Sequence, residues 1–337
     1  MRKDYIEVSD LDKDETSFVE EYWTRVWDRQ GGIESVTRKI HNQDEVEITN
    51  DYLKEIDASS KLLALHVNHM AQNDSNIWEK HCEDVCTAAG IEFEAHQKHV
   101  AVKGEGFEAA ARKVRQEIFA SFGANTVIVL GHHLDDQVET VLFRMLRGTG
   151  MKGLSGMDQM STFGDKIVLR PLFTLAKSDI LKRLNDRGIE FITDNSNEDN
   201  AYSRNYIRNL IIPKMLERWP AGSKNIARMA QLARQQSDLL THLLEDNLKA
   251  VSDESGLSID GLKQYDAFHR SELIRMWLDR NGYASPNESQ MREIEKSFFQ
   301  SRQEANPVIK FQREDGQKKG VILTKVNNYI LPEELDE

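Results

Sequence analysis

From Lys61 onward, short apolar runs alternate with amphipathic stretches. Leu62-Leu63-Ala64-Leu65-His66-Val67 reads as a buried strand. Residues 74–89 read as a helix, stopped by Gly90 in the left-handed cap conformation that glycine adopts without penalty. A second strand over 91–96, a second helix over 107–122 ended by Gly123, and a third strand Thr126–Leu130 rich in β-branched residues follow. Leu134, Val138, Val141, Leu142, Met145 and Leu146 share one side of a third helix over 134–147. A strand over 166–172, a helix over 178–187 and a strand over 189–193 continue the alternation. Repeated β-α units imply right-handed crossovers, hence an α/β fold with a parallel sheet and helices on both faces.

After Pro213 the pattern is mainly helical. A long amphipathic stretch over 224–251 suits a helix linking two domains, and 257–282 and 287–302 add further helices. Short strands are expected at 308–311, 321–323 and 329–331. The first sixty residues stand apart. Phe18, Val19, Tyr22, Trp23, Val26 and Trp27 mark an amphipathic helix ending at Gly31-Gly32, and 37–60 is polar and acidic, with no convincing strand before Lys61. The expected organisation is an atypical acidic segment 1–60, an α/β domain 61–216 without a first strand, a linker helix 217–250 and a mainly helical domain 251–337.

Charge changes this picture in one place. The chain of 337 residues has a formal net charge of -12, which taken alone argues against nucleic acid. Residues 1–60, however, hold 8 basic against 16 acidic residues. Residues 201–236 carry Arg204, Arg208, Lys214, Arg218, Lys224, Arg228 and Arg234 against the single acid Glu217. The 204/208, 214/218 and 224/228 pairs are spaced to share helix faces, as phosphate contacts would be; a solvated helix face is the alternative. Two cysteines, Cys82 and Cys86, make no disulfide framework, which suits a cytoplasmic protein. No apolar run approaches the ~20 residues of a membrane span.

Ligands of parallel sheets bind past the carboxyl ends of strands, which singles out two strings. Gly131-His132-His133-Leu134-Asp135-Asp136-Gln137-Val138-Glu139-Thr140 places two imidazoles and three carboxylates at a strand-to-helix turn. Such a set can hold Mg²⁺ on a nucleotide, bind an ammonium group or exchange protons. Capping of the helix by Asp135 and Asp136 is the competing account. His66-Val67-Asn68-His69 reads equally as a ligand pair or a hydrogen-bonded turn. Cys82 and Cys86 read as core thiols.

These strings, followed by Leu146-Arg147-Gly148-Thr149-Gly150 and Gly153-Leu154-Ser155-Gly156-Met157, resemble the signatures of tRNA(Ile)-lysidine synthases, a branch of the PP-loop ATP pyrophosphatases. Phe107-Glu108-Ala109-Ala110-Ala111-Arg112 with Arg115, Arg170-Pro171-Leu172, the polar loop over 194–200, Arg204-Asn205, Arg208 and Ile212-Pro213 are similar in order, and the likeness runs over 61–335. It implies a PP-loop (adenine-nucleotide hydrolase-like) domain followed by a tRNA-binding domain; the further C-terminal domain of longer members is not expected. The implied reaction uses ATP and Mg²⁺ to adenylate the C2 oxygen of the wobble cytidine in tRNA(Ile) with a CAU anticodon. The ε-amine of free L-lysine then displaces AMP. By this likeness Asp135, Asp136, Glu139 and His132 are the catalytic candidates, with Asp136 also the metal ligand. His66, Asn68, Arg112 and His133 lie at the nucleotide, and Arg204, Arg208, Lys214, Arg218, Lys224 and Arg228 at the tRNA. A homodimer is compatible with this reading.

One family element does not stand in the sequence. The Ser-Gly-Gly-x-Asp-Ser nucleotide loop should follow a first apolar strand, and the nearest string is Gln30-Gly31-Gly32-Ile33-Glu34-Ser35. Gly31, Gly32 and Ser35 are therefore either a chance similarity or a decayed loop. The stretch 18–40 faintly resembles the start of a class I methyltransferase, and a fusion near Ser60 accounts for the acidity step and the missing loop together. A catalytically impaired tRNA-binding homologue is thus the alternative to an active ligase. A tRNA-thiolating PP-loop enzyme is a third reading, disfavoured because no Cys-x-x-Cys stands near the site.

Overall fold

The computed structural model describes residues 35–39 (backbone only), 62–70, 75–100, 107–123, 126–186, 188–189, 191–192, 198–300, 307–312 and 318–335. They group into two compact units, one of residues up to Val102 with Ala110–Ala233, the other Lys103–Ala109 with Arg234–Glu337.

The first unit is built on a six-stranded sheet in the order β3-β2-β1-β4-β6-β5. Its strands are β1 (Ser35–Lys39), β2 (Leu62–Asn68), β3 (Glu92–Gln97), β4 (Thr126–Leu130), β5 (Met160–Phe163) and β6 (Lys166–Leu169). All neighbours run parallel except the β5–β6 hairpin. Helices α1 (Ser75–Ala89), α2 (Phe107–Ser121), α3 (Leu134–Leu146), the short α4 (Met151–Leu154) and α5 (Lys177–Asp186) fill the connections. Every residue of β4 is buried, so both faces of the sheet are covered there, as a parallel sheet requires. Leu65, Ile128 and Leu130 pack with Ile118 and Phe119 of α2 on one of them.

Two expectations need correction. A strand does precede Lys61: β1 lies at the centre of the sheet, with Val36 opposite Leu62 and Val127. The sequence concealed it because Ser-Val-Thr-Arg-Lys lacks the apolar run of a strand buried on both faces. Conversely, no strand forms at 189–193: the described residues Ile189, Phe191 and Ile192 are not extended into the sheet, and Phe191 and Ile192 are exposed.

Beyond the sheet, α6 (Ser203–Tyr206) passes into a π-helical turn, Ile207–Ile211, and then α7 (Ile212–Arg218). Ile207 and Ile212 pack with Val138 and Leu142 of α3. The long α8 (Gly222–Leu243) and α9 (Glu245–Val251) divide at Leu244 the single helix expected over 224–251.

The second unit is less helical than its sequence pattern suggests. A five-stranded antiparallel sheet, β7-β8-β11-β10-β9, is formed by β7 (Ser252–Asp253), β8 (Gly256–Ser258), β9 (Val308–Phe311), β10 (Val321–Val326) and β11 (Tyr329–Glu334). With it pack α10 (Ile259–Leu262), α11 (Ala267–Arg280) and α12 (Glu288–Ile294). Leu257, Leu273, Ile274, Leu278, Val321 and Leu323 form the centre of that core. Asp266 caps α11 by accepting the His269 N–H at 2.9 Å. No described helix is long and apolar enough to cross a membrane.

Candidate functional site

The strand order reverses between β1 and β4: the chain moves one way through β2 and β3, then returns to the other side of β1. Doubly wound sheets bind their ligands in the crevice outside that reversal. Lys39, the last residue of β1, pairs with both Leu65 and Leu130, so His66 of β2 is level with Gly131, just past the end of β4. With adjacent strands about 4.8 Å apart, His66 and Gly131 stand about 10 Å from one another across β1.

The β4-to-α3 turn supplies the densest chemistry. His133 is extended, and its N–H donates to Asp136 Oδ2 at 2.9 Å. Its Nδ1 lies 3.5 Å from Asp136 and 3.6 Å from Asp135. Asp135 Oδ2 accepts the backbone N–H of Lys177 at 2.7 Å, the first residue of α5, and so sits at the positive end of that helix. Leu134 N–H donates to Leu175 O at 2.9 Å, tying the same two segments. The capping account therefore holds for both acids: Asp136 caps its own helix through the His133 N–H, and Asp135 caps a helix 42 positions away.

One turn on, Glu139 is buried, and its two oxygens accept from Arg208 Nε at 2.6 Å and Nη2 at 2.7 Å. Asp136 Oδ1 is 3.8 Å from the same guanidinium. Burial pushes the Glu139 carboxyl above the ordinary carboxylate range, against the Arg208 bond, which works to lower it. This pairing turns Arg208, expected at the tRNA, to a carboxylate of α3. A π-helical turn begins between Arg204 and Arg208. The Arg204 guanidinium lies 5.7 Å from the ring of Phe143, one turn beyond Glu139 on the same side of α3.

The other face of α3 grips the following loop. Gln137 donates to Ser155 O (3.3 Å) and Met157 O (3.2 Å) and accepts from Met157 N–H (2.8 Å). Arg144 donates to Gly153 O at 3.1 Å and Gly156 O at 2.8 Å. Gly156 has φ +64°, and a Cβ there would stand 2.5 Å from the Gln137 amide. Sequence reasoning did not find this clamp; the signal was two glycines in Gly-Leu-Ser-Gly close behind a buried amide.

The remaining candidates disperse. Asn68 is buried and works as a turn anchor: it donates to Asn76 (3.1 Å) and Glu79 (2.8 Å) and accepts from Met70 N–H (2.9 Å). His66, partly buried at the end of β2, stacks on Phe93 at 6.5 Å. His132 is partly buried beside His133, and Arg112 is exposed on α2. Ser35 pairs with Thr126 at the start of both strands, the opposite edge of the sheet from Leu130, so it is not at the crevice. Gly31 and Gly32 lie outside the described residues. Lys214, Arg218, Lys224 and Arg228 are exposed on α7 and α8, Lys214 paired with Glu217 at 2.6 Å. Cys86 is buried, and burial pushes the Cys82 thiol up to about 11, so Cys82 offers no thiolate. Among the described residues no group of three or more His, Cys, Asp or Glu forms a metal cage.

Sheet, reversal point and imidazole–carboxylate turn together define an α/β enzyme-type domain of the doubly wound class. Residues 43–215 match the PP-loop domain and residues 257–317 the TilS substrate-binding domain. The chain belongs to the PP-loop family. The tRNA(Ile)-lysidine synthase of Vibrio atlanticus is 34% identical over 261 residues, covering 73% of this chain and 57% of the relative. That of Francisella philomiragia is 36% identical over 251 residues, 74% and 62%. The chain thus spans about six-tenths of the length of these relatives. A U34-tRNA thiolase from Methanococcus maripaludis shares the fold with a TM-score of 0.51 at 16% identity, over 65% of this chain and 80% of its own. The PP-loop match begins beyond Gly31, Gly32 and Ser35.

Proposed function

We propose that the chain is an ATP-dependent ligase that converts the wobble cytidine of tRNA(Ile) to lysidine with free L-lysine. The carrying observation is the cluster of His133, Asp136, Glu139 and Arg208 past the carboxyl end of β4, in a chain whose relatives are named tRNA(Ile)-lysidine synthases. In this reading ATP transfers its adenylyl group to the cytidine C2 oxygen with release of pyrophosphate, and the lysine ε-amine then attacks C2, displacing AMP and losing a proton.

The residues divide the work. Asp136 meets the incoming ammonium in this reading: its Oδ2 holds the His133 N–H and its Oδ1 has no close hydrogen bond among the described residues, while both Glu139 oxygens are taken by Arg208. A carboxylate beside an ammonium orients it and draws off its proton as the amine attacks. Glu139 and Arg208 act through Asp136, fixing its position and local charge. Magnesium suits this donor set only as a nucleotide-borne ion: one or two carboxylates and no cage match a cation that keeps its phosphates as ligands. Asp136 would be its protein ligand, and the ion would offset phosphate charge.

The test is lysine-dependent release of AMP with a cytidine-bearing tRNA(Ile) transcript. Incorporation of labelled lysine supports the ligase; tRNA binding with no incorporation overturns it in favour of a binding-only homologue.

A further inference from the structure

The turn between α7 and α8 is built more tightly than a connector needs to be. Trp219 N–H donates to Met215 O at 2.9 Å, Gly222 N–H to Trp219 O at 2.8 Å, and Asn225 N–H to Ala221 O at 3.0 Å. A Cβ on Gly222 would stand 3.1 Å from the Met215 methyl and 3.2 Å from Leu216, so the missing side chain lets α8 start directly against α7. Leu216 and Ile226 then pack into one cluster with Val138 and Leu142 of α3, which anchors both arms of the corner. Pro220 fixes one more backbone torsion.

At the apex of this corner the Trp219 side chain is 63% exposed. Neither the core nor the corner uses it. Exposed Arg218 precedes it, and exposed Lys224 and Arg228 follow on the first turns of α8. A flat exposed ring on a fixed turn, with exposed cations before and after it in sequence, suits an unpaired base: the ring stacks, the cations meet the flanking phosphates. A bare apolar contact for another protein would sit among apolar neighbours instead; here the residues beside the ring in sequence, Arg218 and Pro220, are exposed and one is charged.

We infer that Trp219 is a stacking platform for an unpaired nucleotide of the RNA substrate, with Arg218, Lys224 and Arg228 holding the adjoining phosphates. This rests on the tRNA reading above and adds to it a residue that selects single-stranded over paired RNA.

Retention of an unmodified tRNA transcript on filters tests it with the unaltered chain, Trp219→Ala and Trp219→Phe. Trp219→Ala is expected to weaken binding roughly 5- to 150-fold, the range for loss of one base–aromatic stack, while Trp219→Phe stays within about threefold. Equal binding by Trp219→Ala overturns the platform, as does an equal loss in Trp219→Phe. Should the unaltered chain not retain tRNA, the functional reading itself fails; a null confined to the variants removes only the platform. A second measurement needs no variant: N-bromosuccinimide oxidation of the unaltered chain, read by peptide mass. The tRNA should protect Trp219 and a blunt RNA duplex should not. Equal oxidation with and without tRNA overturns the inference.

Discussion

Glu139 and Arg208 lie 69 positions apart in sequence and meet in a two-point ion pair at 2.6 and 2.7 Å. Removing one partner leaves the other charge in a poorly hydrated place, which costs more than the pair itself contributes. Arg208→Gln is expected to destabilise the first unit by about 2–4 kcal/mol, below the top of the buried-pair range because the guanidinium keeps partial exposure. The double variant Glu139→Gln/Arg208→Gln should recover part of that loss. Denaturant unfolding of the four proteins of the cycle measures it; strictly additive losses would mean the pair is not coupled.

The same pair gives a pH dependence with a defined sign. The Glu139 carboxyl is raised above its ordinary 4.5, chiefly by burial. A raised carboxyl favours the fold while protonated, so its contribution is complete below the ordinary value and lost as pH climbs through the folded one. The stability of the unaltered chain minus that of Glu139→Gln should therefore decline from pH 4.5 upward and then level. Unfolding curves over that window report it, and a difference that rises with pH would mean Arg208 outweighs burial.

Gly156→Ala meets two costs at once. Its φ of +64° is strained for alanine, and the new methyl would press on the Gln137 amide at 2.5 Å. Because Gln137 is buried and bonded to Ser155 and Met157, it has nowhere to retreat. The expected loss is at least about 2 kcal/mol, from the left-handed backbone plus the clash. A melting temperature equal to the parent's would show that the loop is not clamped as described.

Asp135 and Asp136 are neighbours with different tasks. Asp135→Ala removes a backbone cap on α5 and should cost about 1 kcal/mol of stability with a modest loss of turnover. Asp136→Asn should leave the melting temperature closer to the parent's and raise the KM for lysine sharply. Parallel stability and kinetic assays decide; the reverse ranking would exchange the two roles.

Arg208 and the α8 cations should differ in salt response. Each phosphate contact in single-stranded RNA adds about 0.7 to the slope of log affinity against log salt. Lys224→Gln/Arg228→Gln should lower that slope by roughly 1.4, whereas Arg208→Gln leaves it unchanged. An unchanged slope in the α8 double variant would remove those residues from the RNA interface.

Local patterns in the chain carried much of the fold. The β4 run, Thr-Val-Ile-Val-Leu, reads as a strand covered on both faces because every residue is apolar or β-branched, and all five are buried. Gly90 marks a helix end because its φ of +68° suits glycine and few other residues. The start of α3 at Leu134 follows from the polar turn before it and the apolar spacing after it. β1 escaped notice for the converse reason, its polar composition giving no periodic signal although β2 and β4 flank it.

By itself the sequence determined that imidazoles and carboxylates gather after β4, since a strand, a short turn and a helix start leave them no other place. It could not assign their partners. Asp135 reaches Lys177, Gln137 reaches Met157, and Glu139 reaches Arg208, each through contacts set by how distant segments pack on α3. Helical spacing put Arg204 and Arg208 on one face; packing against α3 gave Arg208 the buried Glu139 and Arg204 the Phe143 ring. Tertiary packing therefore decided which partner each carboxylate meets, because only burial and pairing distinguish chemically equivalent groups.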